Sequence, residues 1–243
     1  MEIPKEIKEI NKKLAEAGFE SYLVGGCVRD FLLEKNPKDW DLTTNAKPED
    51  IQKIFPESVY ENKFGTVAIK TKSENPILKI VEVTTFRKEG KYTDKRHPDE
   101  ITFAKNIEED LSRRDFTINA LALDISDKKR GMVDPFGGEK DLEKKIIRAV
   151  GNPKERFEED ALRLMRAVRF AAQLGFSIEK ETLQAIKEKS SLIEFVSQER
   201  IRDEFVKLLM TERAHGGVQQ LQETGLLKHI WPELVNGIDV TQN

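Results

Sequence analysis

Two short stretches constrain this chain more than any other part of it: Tyr22-Leu-Val-Gly-Gly-Cys-Val-Arg-Asp30 and, shortly after, Lys38-Asp-Trp-Asp-Leu42. They read as a strand from Tyr22 to Val24, a glycine turn, a short helix from Val28 to Leu33, and a second strand from Trp40 to Thr43. Side chains two apart on a strand share a face. Asp39 and Asp41 are therefore expected side by side, with Trp40 turned toward the core. Two hard carboxylates beside a glycine turn suit Mg²⁺ carrying a triphosphate, because Mg²⁺ takes oxygen ligands and shares them with phosphates. Gly25 and Gly26 would let backbone N–H groups approach those phosphates. Taken singly the pieces are common, since an isolated Asp-x-Asp is usually a solvated pair and Gly-Gly usually a plain turn.

The 243 residues are 38% hydrophobic and 35% charged, which fits a soluble chain of one large or two small domains. No apolar run reaches the length of a membrane span, and Met1 to Lys8 lacks a signal-peptide core. The single cysteine, Cys27, excludes an internal disulfide and fits a reducing cytoplasm. It is read as a small buried hydrophobe, not a nucleophile. A net charge of −3 is low for a nucleic-acid enzyme. Basic clusters at Arg87-Lys88, Lys95-Arg96, Arg113-Arg114 and Lys128-Lys-Arg130 are thus expected to make a local positive groove, offset by acidic runs such as Glu108-Glu-Asp110.

Pattern divides the chain near Gly151-Asn-Pro153, giving expected domains at 1–150 and 151–243. The first mixes helices (Ile3 to Gly18, Pro48 to Ile54, one from about Ile107) with β-rich stretches at Gly65 to Lys72, Ile77 to Phe86 and Phe116 to Ile125. Arg87 to Glu100 reads as a mobile loop. From Pro153 only helices are expected. Glu155 to Leu174 reads as one amphipathic helix stopped by Gly175, followed by Glu179 to Lys189, Gln198 to Met210 and Gly217 to Glu223. The fold class is α+β. His97, His215 and His229 show no metal-ligand spacing.

The Gly25-Gly-x-x-Arg-Asp element followed by Asp-x-Asp resembles the signature of the nucleotidyltransferase superfamily that includes polymerase β. It is most similar to the class II branch: bacterial and eukaryotic CCA-adding enzymes and bacterial poly(A) polymerases. Ser112-Arg-Arg-Asp-Phe-Thr-Ile-Asn-Ala120 resembles that family's Arg-Arg-Asp-Phe-Thr-x-Asn-Ala motif, and Glu159-Asp-Ala-Leu-Arg163 its Glu-Asp-x-x-Arg motif. The resemblance runs from about Tyr22 to Met210. It implies a nucleotidyltransferase head with a small mixed sheet flanked by helices, then a helical neck and the start of a body, with this chain truncated or unusually short.

The resemblance also implies site residues. Asp39 and Asp41 would be metal ligands and catalytic carboxylates. Gly25, Gly26, Arg29 and Arg114 would bind the nucleotide, Arg114 at its phosphates, because an arginine fork donates paired hydrogen bonds. Asp115 and Asn119 would lie near the sugar. Arg113 is equally readable as a structural partner of Glu109. Glu82, beside inward-facing Val81 and Val83, is either a surface strand glutamate or a base or further metal ligand near the attacking 3′-hydroxyl; the resemblance favours the second.

Asp160 and Arg163 fall at i and i+3 of the expected helix and so on one face. A carboxylate only accepts hydrogen bonds and a guanidinium only donates. Such a pair matches the amine and ring-nitrogen edge of cytosine or adenine and mismatches uracil and guanine, at roughly 1–3 kcal/mol per unsatisfied group. Arg166 is placed to support Arg163. Without the family, the same helix reads as one laced with ion pairs. Gly90 to Asp99 fills the position of the family's flexible loop, which helps the change from CTP to ATP and which CC-only enzymes lack.

The expected activity is template-independent, Mg²⁺-dependent addition of C, C and A from CTP and ATP to the tRNA 3′ end, in the cytoplasm and away from membranes. An A-adding-only enzyme and a bacterial poly(A) polymerase are the near alternatives. No basic Gly-Arg-Arg segment near the first strand favours the polymerase. A non-catalytic RNA-binding module is the alternative of another kind.

Overall fold

A computed structural model describes residues 2–60, 65–89, 101–126 and 131–236. They divide into two compact units at Leu142 and Glu143.

The first unit opens with α1 (Lys5–Glu16), whose Ile7, Ile10 and Leu14 form the buried stripe expected from their spacing. Then come β1 (Ser21–Val24), α2 (Gly26–Leu32), β2 (Asp41–Thr44), α3 (Pro48–Ile54), β3 (Ser58–Tyr60), β4 (Thr66–Lys70) and β5 (Ile80–Thr85). β6 (Arg87–Glu89) and β7 (Ile101–Phe103) make a separate antiparallel pair. α4 (Ile107–Ser112), β8 (Ala122–Leu123), β9 (Met132–Val133) and α5 (Gly138–Lys144) complete the run.

Seven strands join one sheet in the order β3-β4-β5-β2-β1-β8-β9. β2 and β5 are parallel and every other neighbouring pair is antiparallel, so the sheet is mixed. Leu23, Leu42, Val67 and Val83 are buried along its middle. β5 alternates as expected, with Val81 and Val83 inside and Glu82 outside.

Three local expectations change. Arg87–Glu89, expected to open a loop, is strand β6, paired with β7. β2 begins at Asp41, so Asp39 and Trp40 lead into the strand instead of lying on it. Phe116 to Ile125 is mostly not strand: Thr117–Asn119 is a 3₁₀ turn, and only Ala122–Leu123 pairs. Side-chain bonds hold that turn where the apolar run suggested a strand. Thr117 Oγ1 donates to Asp141 Oδ2 at 2.7 Å, and Asn119 Nδ2 to Asp115 Oδ1 at 3.1 Å.

The second unit contains β10 (Ile146–Ile147), α6 (Pro153–Glu159), α7 (Leu162–Leu174), β11 (Ser177–Ile178), α8 (Lys180–Lys189), α9 (Gln198–Leu209), α10 (Ala214–Glu223), α11 (Leu226–Ile230) and α12 (Pro232–Asn236). β10 and β11 pair in parallel, and β11 lies in the stretch beyond Pro153 where only helices are expected. Two residues per strand are too few to show an alternation. Leu164, Met165 and Val168 of α7 are fully buried, and α7 ends on Gly175 in the left-handed region.

The single helix expected from Glu155 to Leu174 is broken at Asp160, which is extended (φ −139°, ψ 104°). Its Oδ1 accepts the Leu162 N–H at 3.1 Å and its carbonyl the Arg163 N–H at 3.0 Å. Asp160 thus caps the start of α7, a role short acceptor side chains favour over a helix interior.

Neighbouring glycines of α10 meet different surroundings. A Cβ on Gly217 would lie 2.8 Å from Leu208 Cδ1 and 3.1 Å from Ala172 Cβ, whereas one on exposed Gly216 would meet nothing within 4 Å. In urea denaturation Gly217→Ala is expected to cost about 1–3 kcal/mol. Gly216→Ala is expected to add about 0.5–1 kcal/mol by raising helix propensity.

Candidate active site

The site is organised by the turn between β1 and α2. Gly25 has φ 73° and ψ −131°, a backbone that side chains with a Cβ rarely adopt. Its N–H donates to Leu121 O at 3.2 Å. A Cβ there would lie 2.8 Å from Arg114 Nη1. On Gly26 it would lie 3.6 Å from Arg29 Nη2 and 3.8 Å from Asp39 Oδ1. Residues from two distant motifs therefore meet around one glycine turn.

Asp41, at the head of β2, is in register with Glu82 on parallel β5. Burial first, and then the charge of Asp39, push the Asp41 pKa from 3.8 up to about 6; Arg114 opposes the rise and Glu82 adds to it. Asp39, Asp41, Glu82 and Arg114 thus share one electrostatic neighbourhood. Cys27 is buried, and burial pushes its thiol up to about 12, which makes it inert.

The donor chemistry fits a hard divalent cation. Like charges crowd a partly buried carboxylate, and a cation between Asp39 and Asp41 would relieve them. Among the described residues no group of three or more His, Cys, Asp or Glu side chains forms a metal cage by itself. Two carboxylates completed by substrate oxygens are the arrangement that suits Mg²⁺.

The second motif forms a buried chain of hydrogen bonds. Arg29 Nη1 donates to Asn119 Oδ1 at 2.8 Å, and Arg29 Nη2 pairs with Asp30 Oδ1 at 2.8 Å. Asp115 Oδ1 accepts from Asn119 Nδ2 and from the Phe116 N–H. Arg29, Asn119 and Asp115 are all less than a tenth exposed. Arg113 pairs with Asp110 at 3.0 Å, whereas Glu109 accepts the Lys105 N–H. Arg114 Nη2 also pairs with Asp110, at 3.2 Å. Arg114 Nε is buried with no hydrogen-bond partner among the described residues, so the arginine retains a donor.

In the helical unit the chain turns at Asp160, so Asp160 stands just before α7 and Arg163 in its first turn. Asp160 Oδ2 accepts from Arg200 Nη2 at 2.8 Å. Arg163 Nη1 donates to Glu159 Oε2 at 2.7 Å and to Arg156 O at 3.2 Å. Arg166 lies over the Phe170 ring, with its Nη1 4.0 Å from Glu204 Oε2. Glu159 belongs to the Glu-Asp-x-x-Arg motif; Arg200 comes from α9, 40 residues on, and nothing local in the sequence marks it. The loop at Gly90 to Asp99 and the basic cluster Lys128 to Arg130 lie outside the described residues.

Residues 21–148 match the poly A polymerase head domain, and residues 175–237 the probable RNA and SrmB-binding site of polymerase A. A CCA-adding enzyme of Enterococcus faecalis (strain ATCC 700802 / V583) is 49% identical over 226 residues, covering 91% of this chain and 54% of that protein. The crystal structure of Bacillus stearothermophilus CCA-adding enzyme in complex with CTP is similar at a TM-score of 0.80 and 41% identity, over 92% of this chain and 53% of that one. Thermotoga maritima CCA-adding enzyme complexed with tRNA-CCA is similar at a TM-score of 0.76 and 26% identity, over 95% and 54%. The chain spans about half the length of the curated relatives it matches.

The raised Asp41 pKa has a stability consequence. The folded state holds this proton more tightly than the unfolded chain, so stability falls as pH rises from 3.8 through about 6 and is flat above. The gap is worth at most about 3 kcal/mol, and less where solvent reaches the carboxylate. Without divalent ions at pH 8, Asp41→Asn is therefore expected to unfold at higher denaturant than the parent. Millimolar Mg²⁺ should raise the parent's midpoint and leave the variant's unmoved.

Proposed function

The chain belongs to the family of the poly A polymerase head domain, the class II nucleotidyltransferases that include CCA-adding enzymes, and on that premise we propose that it adds C, C and A from CTP and ATP to the 3′ end of tRNA. The observation that carries this reading is the register of Asp41 with Glu82, with Asp39 and Arg114 gathered at the same glycine turn. Residues 1–150 act as the catalytic head, and residues 151–243 as the helical neck and the start of a body. The relatives' complexes with CTP and with tRNA-CCA support these substrates. No described helix is long and apolar enough to cross a membrane, and work on tRNA would be done in the cytoplasm.

Asp39 and Asp41 would hold Mg²⁺, which supplies a lowered pKa at the attacking 3′-hydroxyl and charge neutralisation at the triphosphate. The chain's own groups do the rest by positioning. Gly25, without a Cβ, leaves Arg114 room to present Nη1 to phosphate oxygens. Arg29, Asn119 and Asp115 keep the turn and the arginine segment in fixed relation, and Glu82 borders the attacking hydroxyl. Asp160 accepts the exocyclic amine of cytosine or adenine, and Arg163 donates to the adjacent ring nitrogen. A carboxylate has about four acceptor sites; Leu162 and Arg200 engage Asp160 at one oxygen each, which leaves acceptor capacity for a base. Arg166 steadies this helix face through Glu204.

The test is incorporation of labelled CTP and ATP, separately and together, into tRNA lacking its last one, two or three nucleotides. Addition that stops after CCA supports the proposal. Addition of A alone indicates an A-adding enzyme, long A tails a poly(A) polymerase, and triphosphate binding without incorporation a binding module. Asp41→Ala is expected to lower incorporation by about three orders of magnitude or more without unfolding the chain. Asp160→Ala should narrow the preference for CTP over UTP by about tenfold or more, read as a ratio of kcat/KM values.

A further inference from the structure

Asp110 is a fully buried carboxylate on α4 to which the reaction gives no direct part. A buried charge is costly unless it is paired and hydrogen-bonded, and this one is bonded on both oxygens. Oδ1 accepts from the Arg87 N–H at 3.2 Å and from Arg113 Nε at 3.1 Å. Oδ2 accepts from Arg114 Nη2 at 3.2 Å. Against the upward push of burial, the Arg113 and Arg114 guanidinium groups hold the carboxyl below its ordinary range.

The other end of the Arg114 fork faces the glycine turn, with Nη1 2.8 Å from where a Cβ would sit on Gly25. A guanidinium is planar and rigid, so anchoring one nitrogen sets the direction of the others. We propose that Asp110 is a positioning residue that aims Arg114 at the phosphates of the incoming nucleotide. Its Oδ1, accepting the Arg87 N–H, ties that aim to the first residue of β6. The inference rests on the reading of Arg114 as the phosphate-binding arginine.

The test is calorimetric binding of CTP, ATP, CMP and AMP to the full chain with Mg²⁺. Arg114→Ala should weaken both triphosphates by about tenfold or more and leave the monophosphates unchanged. Asp110→Asn should do the same by about tenfold, equally for both bases. The double variant should bind no more weakly than Arg114→Ala, because Asp110 acts only through Arg114. Arg113→Ala should leave triphosphate affinity within about twofold, since the Oδ2 bond to Arg114 remains.

If Asp110→Asn melts below the assay temperature, Asp110→Glu, which keeps the charge but displaces it by one methylene, should show the same triphosphate-only loss. The proposal is overturned if the Asp110 variant weakens mono- and triphosphates alike, adds to Arg114→Ala, or changes nothing. If Arg114→Ala itself leaves triphosphate affinity intact, the phosphate reading of Arg114 falls and takes this proposal with it.

Discussion

The hydrogen bond from Arg29 to Asn119 joins segments 90 residues apart, and the rest of the site depends on it. Arg29 stands just after the glycine turn that begins α2; Asn119 closes the 3₁₀ turn that follows Arg114. With both side chains buried, breaking this bond would leave a charged donor unsatisfied, a loss of about 1–3 kcal/mol or more. The 3₁₀ turn is fixed from its other side as well. Thr117 bonds to buried Asp141, and a Cβ on Gly138 would lie 2.3 Å from Thr117 O. Three separate stretches of sequence are thus held at one place, and none of them has to be long.

On this frame the sheet concentrates negative charge. Parallel pairing of β2 and β5 sets Asp41 opposite Glu82, and the chain entering β2 brings Asp39 alongside. No folding requirement calls for three carboxylates there; burial first, and then the charges of Asp39 and Glu82, raise the Asp41 pKa. Sites that accept such a penalty commonly do so for function. On the proposed function, a cation arriving with a triphosphate would supply positive charge and further oxygen ligands together.

Much of this was legible in the sequence because it is local. α1 and α3 follow from apolar spacing and a proline at the first turn, and β5 follows from alternation. The glycine turn and the carboxylates follow from residue types that few other chemistries require together. What escaped was set by contacts between distant residues. Asp160 looks like a helix-interior residue until its side chain is seen capping α7, and its partner Arg200 is one polar residue among many on α9. Phe116 to Ile125 has strand-like composition, but the bonds of Thr117 and Asn119 to Asp141 and Asp115 turn it into a 3₁₀ bend. The strand β11 is too short to carry any pattern.

The most direct measurement is anomalous diffraction from crystals of this chain grown with CTP and Mn²⁺ in place of Mg²⁺. Metal peaks bridging Asp39 and Asp41, with triphosphate density reaching Arg114, are the predicted result. Metal or triphosphate bound elsewhere, with the Asp39 and Asp41 carboxylates turned away from both, would contradict it.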